Sequence, residues 1–191
     1  MEDYYDTLDL QGKNYLHRVM AASKYMGQLI DDLLNLSRIT RSELHCKRFD
    51  LSELMETIAA RLKESEPERQ VEFVITKGLI ADGDPHLIQI VLENLLGNAW
   101  KFTAKRPRAK IECGITLHNG KPAYFVHDNG AGFDMNFVNK LFGAFQRLHS
   151  ATEFEVTGIG LATSQRIIHR HGGQIWAEGV VHQGATFYFT I

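Results

Sequence analysis

The segment that most constrains the fold is a mostly apolar helix, predicted to begin after the N-cap Asp84 with Pro85 at its first position. Asn94 and Asn98 are four residues apart and share one face of this helix, and Lys101 follows three residues later. Leucine, alanine and phenylalanine side chains cover the remaining surface of the helix, so the helix is expected to be buried. Amide oxygens suit Mg²⁺ and lysine suits phosphate, so the segment predicts a metal–phosphate site on a buried helix.

The composition is that of a soluble globular protein. The 191 residues carry a formal net charge of −2, which gives no support to a nucleic-acid partner. No apolar run approaches the length of about 18 residues that crosses a membrane, and the acidic N-terminus is unlike a signal peptide. We therefore expect a cytoplasmic protein without a membrane segment. Cys46 and Cys113 lie outside any metal-ligand spacing, and Cys113 alternates with isoleucines as a buried strand thiol would.

Residues 12–40 are predicted to form one long amphipathic helix. Apolar and small residues recur there at alternating steps of three and four, the spacing of a coiled-coil seam. They are Leu16, Val19, Ser23, Met26, Ile30, Leu33, Ser37 and Thr40. A stripe widened further by Ala22, Leu29 and Leu36 cannot face water alone. Two alternatives stay open: the helix packs in a dimer or bundle, or it folds onto its own domain.

The rest of the chain predicts helices packed on one mixed, largely antiparallel sheet, an α+β sandwich. A linker is expected from Arg41 to Phe49. The elements expected after it are a helix starting at Asp50, a strand at 70–76, the asparagine helix, a hairpin turning at Asn119-Gly120, a helix at 160–171, and closing strands near 175–177 and 186–191.

Two glycine-containing patterns follow predicted strands or precede a helix. Asp128 opens Asp-x-Gly-x-Gly, and an ionised carboxylate could accept the exocyclic amine of adenine while rejecting the guanine carbonyl. An ordinary turn is the alternative interpretation. Gly158 and Gly160 precede Leu161 at a helix start, where free N–H groups and the helix dipole favour anions. An ordinary loop remains possible, and the dinucleotide fingerprint is unmatched because residue 163 is Thr.

Taken in order, these patterns resemble the C-terminal core of sensor histidine kinases, whose Bergerat ATP-binding fold is shared with gyrase, Hsp90 and MutL. Residues 87–103, 125–134, 141–148 and 157–162 look like the N, G1, F and G2 boxes of that family, and 184–187 is similar to its last glycine motif. The resemblance covers essentially the whole chain. The segments Asn-Ala-Trp-Lys-Phe-Thr and Phe-Gln-Arg-Leu-His look most like those of the phytochrome-like or PAS-linked branch of the family.

The resemblance implies a two-layer Bergerat sandwich preceded by a coiled-coil-like helix. Residues 1–43 would be the second helix of a dimerisation hairpin, and 44–191 would be the ATP-binding catalytic domain. Such a core would have protein-histidine kinase activity and position Mg-ATP for γ-phosphoryl transfer to a histidine. It would form a homodimer through the N-terminal helix, act on a cognate response regulator and follow an upstream sensor domain.

The resemblance also implies residue roles. The residues expected to hold the nucleotide are Asn94, Asn98, Lys101, Asp128, Gly130, Gly132, Gly158, Gly160, Leu161 and Thr186. Asn98 would ligate Mg²⁺, Asn94 would lie beside the triphosphate and its water, and Lys101 would contact phosphate. Asp128 would read adenine, with Thr186 supporting it through a water. Gly130 and Gly132 would line the base pocket, and Gly158 and Gly160 would form the phosphate end of a lid.

That lid would span roughly 137–160. Phe142 and Phe145 are expected either to anchor it or to belong to the core, and Arg147 either to meet phosphate or to remain on the surface. Val156 stands where close relatives usually carry glycine, and a β-branched residue resists positive φ, so the lid could be stiffer here.

One family element is missing from the sequence. The phosphoacceptor box of the form His-Glu/Asp-Leu-Arg-x-Pro does not occur, and His17 on the long helix lacks its neighbours. The chain is therefore expected to be trimmed, or to have lost its acceptor, and to bind ATP without phosphorylating itself. A non-catalytic docking module is the main alternative. An ATPase of the gyrase, Hsp90 or MutL kind is less favoured. Those enzymes use a glutamate near the position of Asn94 as the base that activates water, and Glu93 lies about 100° around the helix from Asn94.

Overall fold

The computed structural model describes residues 8–41, 43–146 and 158–191. The helices are α1 (Leu10–Arg41), α2 (Leu51–Ser65), α3 (Pro85–Phe102) and α4 (Gly160–Arg170), with a 3₁₀ helix at Met135–Lys140. The strands are β1 (Lys47–Asp50), β2 (Val71–Ile75), β3 (Ile80–Gly83), β4 (Ala109–His118), β5 (Lys121–Asp128), β6 (Ile175–Val180) and β7 (Gly184–Phe189). The predicted long helix, asparagine helix, hairpin and closing strands are all confirmed.

Five strands form the main sheet in the order β2-β4-β5-β7-β6. Only the β2–β4 pair is parallel, and the other pairs are antiparallel, so the predicted α+β sandwich with a mixed, largely antiparallel sheet is confirmed. Because strand side chains alternate between faces, every second residue, such as Ile111, Val126 and Phe187, joins one buried core with the helices. Cys113 belongs to this core, and burial raises the pKa of its thiol to about 12.

The expected linker up to Phe49 is wrong in its last part, because Lys47–Asp50 form β1. This strand pairs antiparallel with β3 in a separate two-stranded sheet. Four residues are too few to show a clear alternation, and the partner strand lies some thirty positions along the chain, with Asp50 opposite Ile80. Asp50 then caps α2 by accepting hydrogen bonds from the backbone N–H groups of Ser52 and Glu53, as the predicted helix start requires.

The helix α3 lies between α2 and α4 and is buried along most of its length. Asp84 accepts hydrogen bonds from the N–H groups of His86 and Leu87, and Pro85 occupies the first turn, so the predicted N-terminus is confirmed. Eight apolar side chains anchor the helix in the core. They are Leu87, Ile88, Val91, Leu92, Leu95, Leu96, Ala99 and Trp100. A fully buried leucine or isoleucine contributes about 1.5–3 kcal/mol, which makes α3 a rigid support for its asparagines.

On the helix α1, part of the predicted seam is exposed. Val19, Met26, Ile30 and Leu33 are exposed in the single chain. Since α1 also contacts α4, the dimer or bundle alternative and the alternative of a helix folded onto its own domain both stay predictions. In the part of the chain that the structure describes, no helix has the length and apolar character needed to cross a membrane.

Candidate functional site

Asn94 on α3 faces the first turn of α4. Its Nδ2 donates to the carbonyl of Gly160 at 3.1 Å and to Ser164 Oγ at 3.3 Å. The Ser164 hydroxyl, which is fully buried, donates to the same carbonyl at 2.9 Å. Two motifs that are separate in the sequence are thus in direct contact. Ser164 was not among the predicted residues, although its spacing of four from Gly160 places it on the same helix face.

Asn98 lies one turn beyond Asn94 and is half-buried. Its carboxamide has no hydrogen-bond partner among the described residues, which leaves a polar group that a ligand could satisfy. The side chain of Lys101 is exposed on the next turn. Within 8–41, 43–146 and 158–191, no group of three or more His, Cys, Asp or Glu could hold a metal. Amide and phosphate oxygens are ligands that Mg²⁺ accepts, and the metal-ligand role of Asn98 stays a prediction.

The N-terminus of α4 has no side-chain cap. Its N-cap residue, Ile159, makes no side-chain capping hydrogen bond, so the first-turn N–H groups lack the partner that a polar cap provides. Just before it, the carbonyl of Gly158 accepts a hydrogen bond from the N–H of Phe145 at 2.9 Å. Leu161 packs, half-buried, against the core. Gly158, Gly160 and Leu161 therefore lie at one helix end, and their contact with phosphate stays a prediction.

Asp128 ends β5 and is only 1% exposed. Burial raises the pKa of its carboxyl from the ordinary 3.8 to about 6, against the opposing effects of N–H donors on Gly130 and Ala185 and of the Arg106 cation. The Gly130 N–H donates to Oδ1 at 2.8 Å. At neutral pH the carboxylate is mostly ionised and only accepts hydrogen bonds, as reading an adenine amine requires.

The glycine loop, residues 129–132, packs directly on neighbouring backbone. A Cβ at Gly130 would lie 2.5 Å from the Phe102 carbonyl oxygen, at the end of α3. At Gly132, where φ is +63°, a Cβ would lie 1.9 Å from the Val180 carbonyl oxygen. The loop therefore needs glycine because of close backbone approach. A direct role of either glycine in lining a base pocket stays a prediction.

The strand register contradicts the predicted role of Thr186. On β7 the residue opposite Asp128 is Ala185, while Thr186 is opposite His127. Directly paired residues of antiparallel strands point to the same face, and successive residues point to opposite faces. The Thr186 hydroxyl accordingly lies 2.9 Å from His127 Nδ1, on the far side of the sheet from Asp128. Support of Asp128 by Thr186 through a water is therefore wrong.

The predicted lid is described only at its two ends. Phe142 is half-buried and packs against the core, as the core interpretation expects. Phe145 is 54% exposed and has a φ of +63°, so it does not belong to the core. Arg147 and Val156 lie outside the described residues, as does residue 157 at the start of the second glycine box.

Glu93 points away from the site, as predicted. Its Oε1 forms a 2.7 Å ion pair with Arg61 on α2 and accepts from Gln89 at 2.9 Å. Asn94, by contrast, contacts α4. Glu93 is therefore badly placed to activate a water on the side of α3 where Asn94 contacts α4.

Comparison with known proteins gives a consistent result. The family profile described as histidine kinase-, DNA gyrase B-, and HSP90-like ATPase matches residues 83–191. Cyanobacterial phytochrome B of Nostoc sp. is 36% identical over 100% of this chain and 26% of its own length. Phytochrome-like protein Cph1 of Synechocystis sp. is 33% identical over 98% of this chain and 25% of its own length. The chain thus spans about a quarter of these curated relatives.

Solved structures agree on the fold. Full-length ShkA in complex with AMPPNP has a TM-score of 0.71 at 24% identity, over 95% of this chain and 39% of that chain. The catalytic domain of histidine kinase ThkA has a TM-score of 0.62 at 26% identity, over 78% of this chain and 94% of that chain.

Proposed function

The chain belongs to the family of histidine kinase-, DNA gyrase B-, and HSP90-like ATPases, and from that premise we propose that it is the ATP-binding catalytic core of a sensor histidine kinase. The observation that carries the proposal is the contact of Asn94 with the first turn of α4, at 3.1 Å from the Gly160 carbonyl. This contact joins the asparagine face of α3 to an uncapped helix N-terminus. A triphosphate with Mg²⁺ needs both features together.

Each end of the nucleotide would have its own residues. Asp128 would accept the adenine amine, while the N-terminus of α4 and Lys101 would hold phosphate oxygens. Asn98 would ligate Mg²⁺, which when bound neutralises phosphate charge. Phosphoryl transfer depends largely on positioning and electrostatic stabilisation, and the buried α3 would supply the positioning. The hydrogen bonds of Asn94 to Gly160 and Ser164 would keep the phosphate end of α4 in register with α3.

The nucleophile would come from outside this sequence. The chain contains no phosphoacceptor box, so we expect ATP binding without self-phosphorylation. The exposed part of the α1 seam would join a homodimer in a cytoplasmic protein with an upstream sensor domain, and a cognate response regulator would receive the phosphoryl group. Incubation with γ-labelled ATP tests the first point, because acid-labile label on this chain alone would contradict it.

Calorimetry with the non-hydrolysable analogue AMPPNP, with and without Mg²⁺, tests the core proposal. Asn98→Ala should remove the gain in affinity that Mg²⁺ provides, weakening binding at least about tenfold. Gln89→Ala is the matched control, because Gln89 is another carboxamide on α3 and bonds Glu93 at the surface. Equal Mg²⁺ dependence in the wild type and Asn98→Ala would contradict the metal role, and absence of any binding to the wild type would contradict the function.

The main alternative is a docking module that retains the fold without turnover. The missing acceptor and the exposed part of the α1 seam favour it over the ATPase alternative, for which Glu93 is poorly placed. An acceptor-bearing helical hairpin supplied in trans separates the two leading candidates. Mg-ATP-dependent label on its histidine supports the kinase core, whereas analogue binding without any transfer supports the docking module.

A further inference from the structure

The loop between α3 and β4 carries Arg106, whose side chain joins two segments next to Asp128. The backbone N–H of Arg106 donates to the Thr103 carbonyl at 2.9 Å, which ties this loop to the C-terminal cap of α3. Its Nη2 donates to the carbonyl of Gly130 at 2.9 Å and also to the carbonyl of His182. The guanidinium therefore links the glycine loop to the turn between β6 and β7.

Backbone hydrogen bonds complete the same assembly. The Ala131 N–H donates to the Phe102 carbonyl at 3.1 Å, and the His182 N–H donates to the Ala131 carbonyl at 2.7 Å. His182 itself has a φ of +62°, which a non-glycine residue adopts only when its surroundings hold it. The glycine loop is thus held by α3 on one side and by the turn on the other, and Arg106 is a side chain that connects both.

We propose that Arg106 is a positioning residue of the purine subsite, which fixes the glycine loop around Asp128 and provides a cation beside that carboxylate. The inference rests on the proposed function. A guanidinium donates in several fixed directions, so one group can satisfy two carbonyls. A lysine would keep the charge, but its ammonium is compact and lacks the rigid planar fork that directs the N–H groups of arginine.

The charge has a separate, measurable effect. Among the described residues, Arg106 is the charged side chain that lowers the pKa of Asp128, against the larger rise that burial causes. Two described N–H donors, those of Gly130 and Ala185, also lower this pKa, and both are neutral. His127 is adjacent in sequence but faces Thr186 on the other side of the sheet. Removing the cation should leave Asp128 protonated at a higher pH, where one oxygen carries a proton and the carboxyl is a weaker acceptor for the adenine amine.

The experiment measures AMPPNP affinity in Mg²⁺ from about pH 5.5 to about pH 8.5 for the wild type, Arg106→Gln and Arg106→Lys. Arg106→Gln should bind about tenfold more weakly at high pH. As the pH falls, its affinity should also drop at a higher pH than that of the wild type. Arg106→Lys should bind more weakly but keep the wild-type midpoint. Arg108→Gln, on the same loop and exposed, should match the wild type. The titration of the nucleotide is common to all proteins, so differences between profiles report the protein.

Wild-type affinity and pH profile in a folded Arg106→Gln would overturn the assignment. The assignment would also be overturned if Arg106→Gln lost the same amount of affinity at every pH and Arg106→Lys showed the same loss, because that pattern indicates a purely structural role. If Arg106→Gln does not fold, Arg106→Lys decides, and wild-type affinity in that variant overturns the inference. Failure of the wild type to bind AMPPNP would instead contradict the proposed function and, with it, this inference. If the wild type binds, the differences between the variants test the role of Arg106 alone.

Discussion

Replacing Asp128 by asparagine should stabilise the nucleotide-free protein while damaging its proposed function. Burial raises the pKa of Asp128 from 3.8 to about 6, a difference of about two pH units. At about 1.4 kcal/mol per unit, keeping this carboxylate ionised in the folded state costs about 3 kcal/mol. Asparagine removes the charge and keeps an oxygen that can accept from the Gly130 N–H, now bonded at 2.8 Å.

The sign of the pH dependence follows from the direction of the change. A carboxyl whose pKa is higher in the folded state contributes stability below its unfolded value of 3.8, and loses it as the pH rises through about 6. The free energy of unfolding of Asp128→Asn, relative to that of the wild type, should therefore increase as the pH rises. About 1.4 kcal/mol of that gain should appear between about pH 5 and about pH 8. Urea unfolding without nucleotide at these two pH values measures it.

Asp134→Asn is the matched control, because Asp134 is exposed and caps the 3₁₀ helix, so no buried charge is removed. A stability difference between Asp128→Asn and the wild type that does not change with pH would refute the reasoning. The functional counterpart is binding. A carboxamide replaces one acceptor oxygen of the carboxylate with an NH₂ donor. Asp128→Asn should therefore bind AMPPNP at least about tenfold more weakly. Because the NH₂ group can donate to a guanine carbonyl, the variant should also prefer adenine over guanine nucleotides less than the wild type does.

Two further substitutions test the packing and the choice between alternatives. Gly132→Ala should lower the free energy of unfolding by about 3 kcal/mol or more, because a Cβ would meet the Val180 carbonyl oxygen at 1.9 Å; chemical denaturation with wild-type stability would contradict this. Glu93→Gln should change stability by less than about 1 kcal/mol, since its ion pair with Arg61 is exposed, and calorimetry should show unchanged AMPPNP binding. ATP turnover that depends on Glu93 would favour the ATPase alternative.

Features that depend on neighbours in the sequence were predictable. Asp84 and Pro85 mark the start of α3, and the apolar periodicity identifies α3 as buried. Asn119 and Gly120 have φ values of +51° and +76°, as their hairpin turn requires. The spacing of Asn94 and Asn98 places both on one helix face because an α-helix repeats every 3.6 residues. Family resemblance then ordered these local signals into a nucleotide site.

What the tertiary structure decided concerns partners far apart in the chain. Asn94 meets Gly160 across 66 residues, and β1 pairs with β3. The sequence shows that Ala185 and Thr186 alternate on a strand, but only the pairing of β7 with β5 gives Ala185, and not Thr186, the face of Asp128. Arg106 stands in a polar loop between two other basic residues, and only its contacts with Gly130 and His182 distinguish it. Local periodicity determines which side chains share a face, whereas the register between strands and the reach of a long side chain depend on how the whole core packs.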